Sequence, residues 1–102
     1  VALLALPDTL TMATAAQALR ALEPALAGNG REPVVVDASP LRDYDSAALA
    51  VLLQLRRSAQ DAGGDLRVSG APRLLAELAQ LYGVEAALPG LEESPAAEVT
   101  AR

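Results

Sequence analysis

The chain contains no cysteine and no histidine. Disulfides, zinc clusters, thiol or imidazole nucleophiles and imidazole acid–base chemistry are therefore excluded. Lysine is absent too, and all 8 basic residues are arginine. That removes the lysine of a P-loop and any Schiff base. Phenylalanine, tryptophan and isoleucine are missing, and Tyr44 and Tyr82 are the only aromatic residues. With a net charge of −5, the chain lacks both the phosphate-neutralising charge and the stacking platforms of a nucleic-acid binder. No apolar run approaches the roughly 20 residues of a membrane span, so no direct membrane insertion is expected. Residues 1–6 form a short apolar run with no basic residue before it, which does not read as a signal peptide.

What is present is small and aliphatic. The 102 residues include 23 alanines and 19 leucines, and 52% of the chain is apolar. That length suits one domain, and that composition favours helix. Residues 1–6 and 9–12 read as two extended pieces joined at Pro7-Asp8, which predicts a hairpin. Thr14 and Gln17 have capping-box spacing. Ala15, Leu19, Leu22 and Leu26 then recur at helical spacing, with Pro24 predicting a kink or an early end. Gly28-Asn29-Gly30 closes this helix. Pro33-Val34-Val35-Val36-Asp37 reads as a central strand buried on both faces.

Asp45 or Ser46 opens the strongest helical pattern. Ala48, Val51, Leu52, Leu55, Ala59 and Ala62 share one stripe, and Gly63-Gly64 stops it. Leu66-Arg67-Val68 alternates as a strand that should follow a parallel crossover from the central one. Pro72 begins a third helix with an apolar face of Leu74, Leu75, Leu78, Leu81 and Tyr82, ended by Gly83. Residues 84–88 read as a short last strand. The fold class is α/β, a small mixed β-sheet packed with helices. Residues 1–90 form the single domain, and 91–102 a polar, acidic, flexible tail.

Carboxylates Asp37, Asp43 and Asp45 cluster after the central strand, where open α/β sheets carry their sites. Three of them could hold magnesium, but helix capping by Asp45 and loop bonding by Asp37 are the favoured roles, so no metal is assigned. Ser46 sits where the macrodipole of the second helix favours an anion. A nucleophilic serine needs a base, and Asp45 is a weak one for an alcohol, so no catalytic residue is assigned. Ser46 stays balanced between a capping hydroxyl and a recognition or phosphoacceptor role. Gly28-Asn29-Gly30 and Gly63-Gly64 follow helices rather than strands, so neither is a phosphate loop, and no cofactor is expected. The residues describe a small, acidic, non-enzymatic interaction module.

The run from Val34-Val35-Val36-Asp37 through Asp45-Ser46-Ala47-Ala48-Leu49-Ala50-Val51-Leu52-Leu53, followed by Gly63-Gly64-Asp65-Leu66-Arg67-Val68, resembles the STAS domain family. Leu6-Pro7, residues 47–53, Leu78-Ala79-Gln80-Leu81-Tyr82-Gly83-Val84 and Leu88-Pro89 are similar to its MlaB-type branch. That resemblance implies a cytoplasmic subunit, peripheral to the inner membrane. Such a subunit binds the MlaF-like ATPase of a phospholipid ABC transporter and supports its assembly and activity in outer-membrane lipid asymmetry. The other branch implies an anti-sigma factor antagonist, with an anti-sigma kinase that phosphorylates Ser46. Ala48 stands where the family usually has glycine, which predicts a methyl group narrowing access to the Ser46 hydroxyl. The partner surface is expected at Arg42, Tyr44, Asp45, Ser46 and Ala47, because strand-end loops carry recognition and Tyr and Arg are common anchors.

Overall fold

The computed structural model describes residues 2–29 and 31–91. Nine elements follow in order: β1 (Ala2–Ala5), β2 (Thr9–Leu10), α1 (Ala15–Asn29), β3 (Val34–Asp37), β4 (Asp43–Tyr44), α2 (Ala47–Asp61), β5 (Leu66–Ser69), α3 (Arg73–Leu81) and a 3-10 helix (Glu85–Ala87). The main sheet has strand order β1-β3-β5, and β2 pairs with β4 in a second small ladder. The α/β class expected from the sequence is the one observed.

The hairpin does not form. Ala2–Ala5 pairs in parallel with Val34–Asp37, and Thr9–Leu10 in parallel with Asp43–Tyr44. The Pro7-Asp8 turn sends the two pieces to different partners. The Asp8 carbonyl accepts the N–H groups of Arg42 and Asp43 at 2.8 and 3.0 Å, which ties the chain start to the loop after β3. With the hairpin gone, every described pairing is parallel.

Register explains the core. Ala2 and Leu4, Val34 and Val36, and Leu66 and Val68 share one sheet face. That face packs under α1 and α2 with Val51, Leu52 and Leu55, and Val36, Leu52 and Leu55 are fully buried. Leu3, Ala5, Val35 and Arg67 share the opposite face. Val35 is therefore only half-buried, and β3 is central without being covered on both sides.

Helix α1 runs through Pro24 to Asn29 rather than ending early. Pro24 and Arg20 both lie on the exposed side, where the Arg20 carbonyl, deprived of its N–H donor, faces water. The Thr14 hydroxyl accepts from the Thr11 N–H at 3.0 Å, so it orders the entry turn instead of completing a capping box. Helix α2 ends as expected at Gly63, whose φ is +94°. The Gly63 N–H reaches Gln60 O and the Gly64 N–H reaches Ala59 O, the two return bonds of a Schellman motif.

The last strand expected over 84–88 is replaced by the 3-10 helix. The Val84 N–H is committed to Ala79 O at the end of α3, and the Val84 carbonyl accepts from Ala87. Arg56 fixes the result from below. Its Nε donates to Asp65 Oδ1 at 2.8 Å and its Nη1 to the Ala87 carbonyl at 2.7 Å. Leu88 and Leu91 are then fully buried, so Leu91, assigned to the tail by sequence, contributes to the core. The rest of the expected tail, residues 92–102, lies outside the described residues.

Candidate functional site

The head of α2 is organised by Asp45. Its Oδ1 accepts the Ala47 N–H at 2.8 Å, and its Oδ2 accepts the Met12 N–H at 3.2 Å. One carboxylate thus satisfies an orphan donor of the helix and draws the loop before α1 to the same place. Ser46 occupies the N-cap position with helical φ and ψ, and its side chain makes no capping bond. The capping role weighed for Ser46 is taken by its neighbour, and among the described residues nothing bonds the hydroxyl of the exposed serine.

The Ala48 methyl does not crowd Ser46. Ala48 is fully buried in the core, while Ser46 is exposed. Tyr44 is half-buried, and burial pushes its phenol up, partly offset by a backbone hydrogen bond at Leu75. That side chain therefore anchors the β4 end against the start of α3. Arg42 is exposed and Ala47 half-buried.

The three aspartates serve local roles. Asp37 Oδ1 accepts the Ser39 N–H at 3.0 Å, and hydrogen bonds from the Ser39 side chain and backbone hold its carboxyl below the usual range. Asp43 is exposed in β4. Among the described residues, no group of three or more carboxylates lies close enough to hold a metal ion.

The structure adds residues that sequence reasoning assigned to the core. Only Leu75 and Ala79 of α3 are buried, with Leu78 half-buried. Leu74, Leu81 and Tyr82 are exposed at 57%, 77% and 57%. Leu74, Leu78, Leu81 and Tyr82 fall at i, i+4, i+7 and i+8, one continuous stripe. A groove of about 250 Å³ lies between this end of α3 and α2, lined by Ser46, Leu49, Ala50, Leu53, Tyr82 and Val84. Met12, 81% exposed, is held to Asp45 on the same α2 head. The available signal was the width of the α3 apolar arc. Four leucines and Ala79 on a nine-residue helix, with Tyr82 at its C-cap, exceed what one packing surface covers.

The arrangement offers an uncommitted hydroxyl at a helix N-terminus beside an exposed apolar stripe. It is suited to recognition, and the class it defines is a small α/β interaction domain. A family model described as "Mlab, STAS domain" matches residues 1–92. The chain belongs to this STAS domain family, whose members are in general regulatory or interaction modules. No curated protein matches the chain significantly. Among the described residues, no helix is long and apolar enough to cross a membrane.

Proposed function

We propose that this STAS domain is a non-enzymatic subunit that docks on the cytoplasmic ATPase of an Mla-type phospholipid ABC transporter. There it supports assembly and activity in outer-membrane lipid asymmetry, peripheral to the inner membrane through its partner. The observation that carries the reading is the exposed stripe Leu74, Leu81 and Tyr82 beside the free Ser46 hydroxyl. An apolar surface of this kind on a small domain marks an interaction site. Arg42, Asp45 and Ser46 form its polar rim, Ala47 lies beside them, and Tyr44 sets the position of that rim.

The same hydroxyl supports a second reading, an anti-sigma factor antagonist switched by phosphorylation of Ser46. Its exposure and lack of a capping bond are the features a kinase needs. A phosphate there would bring about −1.5 to −2 charges beside Asp43 and Asp45, and the helix dipole offsets only about 0.3–1 kcal/mol of that repulsion.

A pull-down of the candidate ATPase separates these readings. Wild type and Ser46→Ala are expected to capture it, while Ser46→Glu and Arg42→Ala capture less, with circular dichroism unchanged in all. Equal capture by Ser46→Glu refutes the placement of the surface. Capture of a sigma-regulating kinase, with phosphate found on Ser46, establishes the second reading instead.

A further inference from the structure

We propose that the outer edge of β1 is a pairing surface for a second copy of this chain, joining two three-stranded sheets into one six-stranded sheet. The two edges of the main sheet are treated very differently. In the register of β1 on β3, Ala2, Leu4 and Leu6 turn their backbone groups inward. The Ala2 N–H bonds Pro33 O at 2.9 Å, and the Leu6 N–H bonds Asp37 O at 3.0 Å. Leu3 and Ala5 therefore turn theirs outward. Among the described residues, none pairs with them.

At the opposite edge the outward N–H groups of β5 are occupied. The Leu66 N–H donates to Asp65 Oδ1 at 2.7 Å, and the Val68 N–H to Pro89 O at 2.8 Å. The segment around Gly90 then lies so close to the Val68 carbonyl that no side chain fits between them.

The β1 edge also lacks the charges and the proline that commonly keep edges apart. Residues 2–6 carry no charge and no proline, and the exposed Leu3 is 73% accessible. An apolar, uncharged edge of this kind is a template for another strand.

A second copy fits this edge by its own symmetry. A two-fold axis through Leu4 sets Leu3 opposite Ala5 of the second copy, and Ala5 opposite its Leu3. Both are then hydrogen-bonded antiparallel pairs, each exchanging two N–H···O bonds, with Leu4 meeting its own copy between them. The net charge of −5 opposes self-association elsewhere on the surface, but none of it lies on this edge. Because β5 is closed, pairing stops at two copies and yields an isologous dimer rather than a fibre.

The test is sedimentation equilibrium of the full chain at the concentrations used for NMR, with amide exchange measured alongside. Wild type is expected to sediment as a dimer, with the Leu3 and Ala5 amides protected more strongly as concentration rises. Leu3→Glu sets a charge against each facing Ala5 and two like charges on the diagonal across the seam, and is expected to raise the dissociation constant by about tenfold or more, with circular dichroism unchanged. The exchange measurement on wild type stands even where that variant fails to fold. A wild type that stays monomeric overturns the proposal. So does a dimer whose Leu3 and Ala5 amides exchange freely, or protection of those amides in a monomer, which would mean that this chain covers its own edge.

Discussion

Replacing Gly90 by alanine should be far more damaging than its place near the end of the domain suggests. Gly90 has φ +98°, a conformation that an L side chain adopts at about 1–3 kcal/mol. Its added Cβ would also fall within the van der Waals envelope of the Val68 carbonyl oxygen. That oxygen belongs to a β5 backbone held by β3 and cannot easily move aside. The remaining route is detachment of residues 88–91 from β5. It breaks the bond from the Val68 N–H to Pro89 O, worth about 1 kcal/mol. It also exposes Leu88 and Leu91, both fully buried, at about 1.5–3 kcal/mol each.

Detachment therefore sets a ceiling near 4–7 kcal/mol, and the strained φ a floor near 1–3. We expect Gly90→Ala to cost about 3–5 kcal/mol, a large share of the about 5–15 kcal/mol that holds a domain of this size together. Urea denaturation followed by circular dichroism measures the loss. Amide exchange locates it, because the Val68 N–H should lose protection while Val36 keeps it. A loss below about 1 kcal/mol with Val68 still protected would show that the segment does not close the β5 edge.

Leu52→Ala removes a fully buried side chain and should cost about 2–5 kcal/mol in the same urea assay; a loss under about 0.5 kcal/mol would mean that α2 turns a different face to the sheet. Acid sensitivity should trace to two carboxyls. The Arg56 side chain lowers Asp65, and the Ser39 bonds lower Asp37, both from an ordinary value of 3.8. A folded pKa below the unfolded one stabilises at pH values above 3.8 and loses that stabilisation as pH falls through the folded value. The urea midpoint should therefore drop in that acidic window, less steeply in Asp65→Asn, and a midpoint that rises on acidification there would contradict the assignment.

Elements dictated by local pattern were legible in the sequence. The stripe of α2 from Ala48 to Ala59 repeats at 3.6 residues with a glycine stop, so its helix, buried face and Schellman end follow from nearest-neighbour chemistry. The β-branched run at 34–36 and the alternation at 66–68 gave their strands for the same reason. Asp45 was likewise recognisable as a capping residue. The family resemblance rested on the order of these pieces, and the family match over residues 1–92 bears it out.

What tertiary structure decided was which partner each surface meets. Two short strands at the start were visible, but their pairing with β3 and β4 depends on chain segments some 30 residues away, and no local pattern encodes that choice. Val35 is half-buried because the sheet face it shares with Leu3 is left open, a property of the whole assembly and not of a valine run. Leu74, Leu81 and Tyr82 look like core by periodicity, since hydrophobic spacing reports that a face is apolar and not whether anything covers it. Ser46 was balanced between cap and recognition until the geometry gave the cap to Asp45, whose two oxygens reach both Ala47 and Met12. Residue 12 is brought to residue 45 only by the folded chain, and the cap that Asp45 gives Ala47 leaves the serine hydroxyl without a partner among the described residues.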